Sequence, residues 1–266
     1  MKILFSDLDG TLVNGQQLLS FKNIEMMKEL QKQGHIMVIC TGRNIKEIER
    51  DPSFHQLPFD YMILNNGGHI VDKDYQTLYE KVIEKDVGVD ILEHAMSYPD
   101  MWTYFCDGHV NYAYKNGVTY DHSIMKTTID EDFRVLYQKA KHFQIICFNQ
   151  DNEGIEDTQK CYDYIQEKYR GKMEAYFNTY FVDVVPYGCS KGTGIRQLLK
   201  IIQKPIEAVY AIGDSYNDIS MIQEADFGYT FHHAHDDIKQ ATQYHVDYVY
   251  EVIEDMLGGK DDELAR

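Results

Sequence analysis

Cysteine and long apolar runs are scarce in this 266-residue sequence. The five cysteines are odd in number, scattered and without a C-x-x-C pair, which argues against a disulfide framework or a zinc site and favours reduced thiols. The first residues, MKILFSDLDG, contain too short an apolar run for a signal peptide. No stretch approaches the roughly 18 apolar residues of a membrane span. We therefore expect a cytoplasmic protein.

Positive charge is also in short supply. Only 26 Lys and Arg residues stand against 43 Asp and Glu residues, which gives a formal net charge of −17. Nucleic acids and anionic membranes bind basic surfaces, so neither is an expected partner. The composition predicts no oligomeric state. With this net charge, an anionic substrate must be attracted by local cations.

The first dozen residues combine an apolar strand pattern with two acids. Residues 3–6 form a short apolar run that continues directly into D-L-D-G-T-L, so Asp7 and Asp9 lie where the strand is expected to end. In an extended chain their carboxylates point to the same side and repel each other unless a cation intervenes. The spacing predicts a divalent metal, although acids and glycine at a strand end can also simply form a turn.

The same arrangement recurs further along the chain. Apolar segments 36–40, 61–64 and 209–212 are followed by the polar loops T-G-R, N-N-G-G and G-D-S-Y-N-D, with helical patterns between the segments. Alternation of apolar strand, loop and helix is typical of a parallel sheet. Ligands of such sheets bind at the carboxyl ends of the strands. We therefore expect the loops to meet at one edge.

The pattern changes in the middle of the chain. Residues 102–106 and 110–114 indicate a β-hairpin around Asp107-Gly108, and further strands and helices follow without strict alternation. This predicts an α+β domain of residues 83–185 inserted into a core formed by residues 1–82 and 186–266. We expect one face of the hairpin to carry Trp102, Tyr104, Tyr112 and Tyr114, as a domain core rather than as a sugar-stacking platform.

Taken together, D-L-D-G-T, T-G-R, G-C-S-K-G and G-D-S-Y-N-D resemble, in type and order, the motifs of haloacid dehalogenase-like (HAD) phosphohydrolases, in particular the Cof-like branch. The resemblance extends over both segments of the expected core. It implies an α/β fold with a Rossmann-like parallel-sheet core. It also implies an inserted α+β cap domain that helps to select the substrate.

The resemblance assigns roles to the acids and to one lysine. Asp7 is the implied nucleophile, and Asp9 is the general acid and base. Lys191 balances the charge of Asp7 and of the phosphate. Asp214 completes a Mg²⁺ site with Asp7 and the backbone carbonyl of Asp9, and Asp218 supports this site directly or through water. The alternatives are a solvated lysine and acids that favour a helix N-terminus.

Further residues are implied to bind phosphate. The Thr41 hydroxyl, the Gly42 amide, Asn66 and Asn217 are the expected donors. Thr41 could instead cap a helix, Asn66 could belong to a simple turn, and we expect Arg43 to make a surface ion pair. His232, His233 and His235 have irregular spacing, which favours an exposed loop over a metal site.

The expected function is that of a Mg²⁺-dependent phosphatase. It hydrolyses small phosphorylated metabolites, with sugar phosphates as the first class, through an aspartyl-phosphate intermediate. A phosphosugar mutase of the phosphomannomutase type is the alternative enzyme, because such relatives share the motifs. A non-catalytic sensor of phosphorylated ligands is the alternative from another class.

Overall fold

The computed structural model describes residues 1–13, 19–122, 127–150, 155–178 and 180–258. The strands are numbered in chain order: β1 (Ile3–Asp7), β2 (Ile36–Cys40), β3 (Tyr61–Leu64), β4 (His69–Asp72), β5 (Thr77–Glu80), β6 (Ile83–Glu84), β7 (Met101–Cys106), β8 (Asn111–Lys115), β9 (Val118–Asp121), β10 (Thr127–Ile129), β11 (His142–Phe143), β12 (Ile145–Gln150), β13 (Met173–Asn178), β14 (Phe181–Pro186), β15 (Val209–Ile212), β16 (Phe227–Phe231) and β17 (Tyr244–Val246).

The helices are numbered in the same way: α1 (Phe21–Lys32), α2 (Ile45–Arg50), α3 (Lys85–Met96), α4 (Phe133–Lys139), α5 (Glu156–Lys168), α6 (Lys191–Ile202), α7 (Ile219–Ile222), α8 (Asp236–Gln240) and α9 (Val249–Gly258). None of these described helices is both long and apolar enough to span a membrane.

Contacts between residues divide the chain into two compact units. The first comprises Met1–Thr41, Pro52–Tyr79 and Ser190–Arg266, and the second comprises Gly42–Asp51 and Glu80–Cys189. The short segment with α2 therefore groups with the second unit. The domain boundaries expected from the sequence, at 82/83 and 185/186, stay a prediction.

The first unit is built on an eight-stranded sheet with the order β17-β16-β15-β1-β2-β3-β4-β5. The six strands from β17 to β3 run parallel, and β4 is antiparallel to β3. Strands β1 and β2 are buried along their whole length, which explains why both read as continuous apolar runs. The predicted α/β fold class with a parallel-sheet core is confirmed.

Helix α6 covers one face of this sheet. Its buried residues Ile195, Leu198 and Ile202 recur at helical spacing and pack with alternate residues of the strands, including Phe5 and Val38. The intervening strand residues, such as Leu4 and Met37, are also fully buried on the other face. Burial on both faces fixes the register of the strands, because a shift of one residue would exchange the two faces.

The second unit contains a seven-stranded antiparallel sheet with the order β10-β9-β8-β7-β12-β14-β13. Helices α3 and α5 pack on one of its faces through Ile91, Leu92 and Ile165. The apolar stretch 143–148 is divided between two strands rather than forming one. Strand β11 pairs with the short β6, whereas β12 lies between β7 and β14.

The expected single aromatic face of the hairpin is wrong. In the register of β7 and β8, Tyr104 pairs with Ala113 and Thr103 pairs with Tyr114. Paired residues of an antiparallel ladder lie on the same side of the sheet, and neighbours along a strand lie on opposite sides. Tyr112 and Tyr114 therefore join the helix-covered core, where both pack. Trp102 and Tyr104 lie on the other face.

We predict that Gly88→Ala destabilises the protein, although alanine is usually the better helix former. A Cβ atom at Gly88 of α3 would lie 2.1 Å from Cδ2 of Phe143, a fully buried ring. Such overpacking costs about 1–3 kcal/mol, so the thermal midpoint should fall by several degrees. Gly258→Ala in α9 is the control, because nothing lies within 4 Å of its Cβ position. Equal midpoints for the two variants would contradict the prediction.

Candidate active site

A buried ion cluster lies at the carboxyl ends of the central parallel strands. Lys191 Nζ donates to Asp7 Oδ1 and to Asp218 Oδ1, with both distances 2.5 Å. The side chains of Lys191 and Asp218 are 1% and 0% exposed, and that of Asp7 is 6% exposed. Asp7 lies near the start of the first unit's sequence, whereas Lys191 and Asp218 lie in its last segment. The fold therefore brings together residues that are distant in the sequence.

Lys191 is held in place by the start of its helix. Ser190 is the N-cap of α6, and its hydroxyl accepts the backbone N–H of Thr193. The Thr193 hydroxyl accepts the backbone N–H of Ser190 in return. This reciprocal capping fixes the first turn, and with it the direction of Lys191. The S-x-x-T spacing was a signal for this cap in the sequence.

Asp214 and Asp218 are positioned by the loop that follows β15. Asp218 Oδ2 accepts the backbone N–H groups of Asp214 at 3.0 Å and Ser215 at 2.9 Å. The hydroxyl of Thr11 donates to Asp214 Oδ1 at 2.8 Å. Sequence reasoning gave Thr11 no role, although it belongs to the D-L-D-G-T motif. Both oxygens of Asp218 are thus engaged within the protein.

Gly10 allows the loop that follows β1 to approach Asp214 closely. Its φ is +90°, in the region that favours glycine. A Cβ atom at this position would lie 2.5 Å from Asp214 Oδ2. Any larger residue would therefore displace the carboxylate from the place where it faces the cluster.

The cluster contains more negative than positive charge. Burial raises the pKa of Asp7 well above its usual value, and Asp218 adds to the effect, while Lys191 opposes it. Burial, followed by the charge of Asp218, also raises the pKa of Asp214. For Lys191, burial acts to lower the pKa, but the carboxylates of Asp218 and Asp7 outweigh it and raise the pKa. Further positive charge beside Asp7 and Asp214 would therefore favour their ionised forms.

The cluster fits a hard divalent cation. Carboxylate oxygens of Asp7, Asp214 and Asp218 lie within 4.8 Å of one another. Asp7 Oδ2 is buried and has no hydrogen-bond partner, which is costly for a carboxylate unless a ligand binds it. Three carboxylates against one ammonium leave two negative charges, and oxygen ligands are those that Mg²⁺ prefers. Both oxygens of Asp218 already accept hydrogen bonds from Lys191 and the backbone, which suits an indirect role of Asp218 in binding the cation.

Asp9 differs from the other acids. It follows Leu8 after the end of β1 and is exposed, and its carboxylate is not part of the acidic cluster found among the described residues. Gly10 donates its backbone N–H to Val13 and so turns the chain beyond Asp9. The predicted roles of Asp9 in proton transfer and, through its carbonyl, in metal binding stay predictions.

A second polar group contains Thr41, Asn66 and Asn217. The backbone N–H of Asn66 donates to the Thr41 carbonyl at 3.1 Å, and Asn217 Nδ2 donates to Asn66 Oδ1 at 3.2 Å. Asn66 is buried and has a left-handed φ of 48°. The next residue, Gly67, packs against Ser190, since a Cβ at Gly67 would lie 2.0 Å from the Ser190 carbonyl oxygen. These three residues therefore lie beside the start of the helix that carries Lys191.

Thr41 does not cap a helix, because Asn44 caps α2 with a reciprocal bond to Glu47. Gly42 begins the segment that groups with the second unit, and its predicted contact with phosphate stays a prediction. His232, His233 and His235 are exposed, as the sequence predicted, and belong to no metal-like cluster of the described residues.

Comparison with known proteins places the chain in a family. A model of haloacid dehalogenase-like hydrolases matches residues 4–252. The chain is 24% identical over 272 residues to the 5-amino-6-(5-phospho-D-ribitylamino)uracil phosphatase YwtE of Bacillus subtilis, with 92% of each chain covered. A solved haloacid dehalogenase-like hydrolase from Bacteroides thetaiotaomicron is 26% identical with a TM-score of 0.79, and 96% of this chain and 99% of that chain are covered.

A further solved structure supports the same fold. The HAD subclass IIB sugar phosphatase BT4131 is 20% identical with a TM-score of 0.74, and the match covers 96% of this chain and 99% of that one. The family that the motifs predicted is thereby confirmed. The chain belongs to the haloacid dehalogenase-like hydrolases and is an enzyme of that class.

Proposed function

We propose that this protein is a Mg²⁺-dependent phosphatase of small phosphorylated metabolites. The observation that carries the proposal is the buried Asp7, whose Oδ1 is held by Lys191 and whose Oδ2 has no hydrogen-bond partner. Sugar phosphates are the first substrate class to test. The phosphorylated ribitylaminouracil in the name of the Bacillus subtilis relative is the second.

In the proposed reaction, a carboxylate oxygen of Asp7 attacks phosphorus, and the bond between phosphorus and the leaving oxygen breaks. Asp9 gives a proton to that oxygen and then removes one from water. The water attacks the aspartyl-phosphate, which releases inorganic phosphate and restores Asp7. Lys191 fixes the orientation of Asp7 throughout and offsets the charge that accumulates on the phosphoryl oxygens.

Asp7, Asp214 and the backbone carbonyl of Asp9 are the proposed ligands of Mg²⁺. When bound, the ion supplies positive charge that keeps Asp7 ionised and stabilises the phosphoryl oxygens. Asp218 acts indirectly, because its two oxygens hold Lys191 and the backbone of the loop that bears Asp214. The Thr11 hydroxyl donates to Asp214 Oδ1 and so fixes the orientation of the Asp214 carboxylate.

The phosphate group is proposed to accept hydrogen bonds from the Thr41 hydroxyl, the Gly42 amide, Asn66 and Asn217. The hydrogen bond from Asn217 to Asn66 fixes both amides beside the start of α6. We further propose that residues 83–185 form an inserted domain and that the protein works in the cytoplasm. The sequence is the support for both proposals.

The fate of the phosphoryl group distinguishes hydrolysis from transfer. A phosphatase releases inorganic phosphate in proportion to substrate lost, whereas a mutase produces an isomeric sugar phosphate. Assay of free phosphate together with chromatography of the sugar products measures both. Absence of Mg²⁺-dependent turnover over a broad panel of phosphorylated metabolites would instead favour a ligand sensor.

We predict that Asp7→Asn lowers kcat for 4-nitrophenyl phosphate by at least about a thousandfold, because the amide cannot act as the nucleophile. The fold should persist, since the substitution removes a buried charge that burial already disfavours. Thermal unfolding measures the fold. Asp74→Asn, at an exposed acid, is the matched control and should retain turnover. Retained turnover in Asp7→Asn would reject the assignment of the nucleophile.

We predict that Mg²⁺ stabilises the protein more at pH 7 than at pH 5. The folded-state pKa values of Asp7 and Asp214 are raised, so without cation the folded state binds more protons and loses stability as pH rises above the usual 3.8. Mg²⁺ competes with these protons. At ten times its dissociation constant it should contribute about 1.4 kcal/mol, seen as a rise in the thermal midpoint.

Asp214→Asn tests this prediction without any assay of activity. The variant lacks one carboxylate of the proposed site, so the Mg²⁺-induced rise in the thermal midpoint should shrink or disappear. The exposed control Asp74→Asn should show the full rise. An equal rise in both variants would show that Mg²⁺ stabilises the chain elsewhere.

A further inference from the structure

The acidic loop (residues 213–218) follows β15 and is bonded to β16. The ladder between these two strands ends at the pair of Ile212 and Tyr229. One residue further, the backbone N–H of Gly213 donates to the Tyr229 carbonyl at 3.4 Å. The Gly213 carbonyl accepts from the Thr230 hydroxyl at 2.7 Å. A side chain of β16 therefore extends the pairing of the two strands into the loop.

The bond from Thr230 lies in the interior of the first unit. Thr230 is 0% exposed, and its contact with the Gly213 carbonyl is buried. Loss of the hydroxyl would leave this carbonyl without its donor where water does not replace it, which carries the desolvation cost of the group. A Cβ atom at Gly213 would lie 2.4 Å from Cβ of Asp218, so the backbone here has little room to move. Gly213 is thus fixed by Thr230 and packed against Asp218.

The peptide group that joins Gly213 to Asp214 is bonded at both ends. Its carbonyl accepts from Thr230, and its N–H donates to Asp218 Oδ2 at 3.0 Å. Because a peptide group is planar, a rotation that released the carbonyl would also turn the N–H away from Asp218. Asp218 Oδ1 in turn accepts from Lys191. The Thr230 hydroxyl is therefore the first member of a chain of hydrogen bonds that ends at the buried lysine.

We propose that Thr230 is a positioning residue of the acidic loop. Its hydroxyl fixes the plane of the peptide group before Asp214 and thereby the places of the Asp214 and Asp218 carboxylates. In such a network the loss of one member weakens the others, so the effect of Thr230 reaches beyond its own bond. The consequence for Mg²⁺ rests on the proposed function, whereas the consequence for the loop itself does not.

Three substitutions separate positioning from a general loss of stability. Thr230→Val keeps the volume of the side chain and removes the hydroxyl, whereas Thr230→Ser keeps the hydroxyl and removes a buried methyl group. Thr158→Val is the matched control in the second unit, because Thr158 is also fully buried and its hydroxyl accepts the backbone N–H of Gln150 at 2.9 Å. Each variant should lower the thermal midpoint by a few degrees, since each loses a buried hydrogen bond or gains a small cavity.

The first readout needs no metal. The backbone N–H groups of Asp214 and Ser215 both donate to Asp218 Oδ2, so their hydrogen exchange reports on the position of the loop. It is measured residue by residue with NMR in the absence of Mg²⁺. Thr230→Val should accelerate the exchange of both groups at least about fivefold, whereas Thr230→Ser and Thr158→Val should leave it within about twofold of the unmodified chain.

The second readout is the affinity for Mg²⁺, measured by isothermal titration calorimetry without substrate. Thr230→Val should raise the dissociation constant about five- to tenfold, which corresponds to the loss of one buried hydrogen bond. Thr230→Ser and Thr158→Val should keep it within about twofold, although both are less stable than the unmodified chain. A residue with a merely structural role would not give this separation between Mg²⁺ affinity and thermal midpoint.

Unchanged exchange of Asp214 and Ser215 in Thr230→Val would overturn the proposal. Equal acceleration in Thr230→Val and Thr158→Val would also overturn it, because the effect would then be one of general stability. Accelerated exchange with unchanged Mg²⁺ affinity would reject the role of Thr230 at the cation site. If the unmodified chain itself binds no Mg²⁺, the proposed function fails, and the exchange measurement alone then decides whether Thr230 positions the loop.

Discussion

The first unit depends on one buried ammonium group. Lys191 is 1% exposed and is satisfied by two carboxylates at 2.5 Å, Asp7 and Asp218. An isolated buried charge costs several kcal/mol, so the lysine is tolerable because acceptors of opposite charge surround it. The carboxylates in turn outnumber it, and Asp214 increases the excess. The protein has thus built a site whose charges do not balance without a further cation.

The parallel sheet makes this arrangement possible. The order β15-β1-β2-β3 places the ends of four neighbouring strands at one edge, where the residues that follow them can meet. Asp7, Thr41, Asn66 and Asp214 occupy those positions. Lys191 comes from a different direction, from the capped first turn of α6. The end of β1 supplies Asp7 and the start of α6 supplies Lys191, so packed elements set the positions of these two residues. The loop after β15 adds Asp214 and Asp218 and is itself held by hydrogen bonds to Asp218.

The sequence predicted the parallel core and the residues of the cluster because both leave local marks. An apolar run that continues into D-L-D-G-T shows the strand and its acids together, and G-D-S-Y-N-D does the same. Cross-strand register leaves no such mark, so the sequence wrongly placed Tyr112 and Tyr114 with Trp102 on one face. For the same reason the sequence did not show that Thr11 donates to Asp214, a contact over 203 positions.

The unused oxygen of Asp7 needs positive charge rather than a neutral donor. Asp7 Oδ2 belongs to a carboxylate among other carboxylates, so a neutral hydroxyl or N–H group would leave the repulsion of the cluster in place, whereas a cation relieves it. Burial and the charge of Asp218 raise the pKa values of Asp7 and Asp214, so a proton also reduces this repulsion. Protons and a divalent cation therefore compete for the same carboxylates.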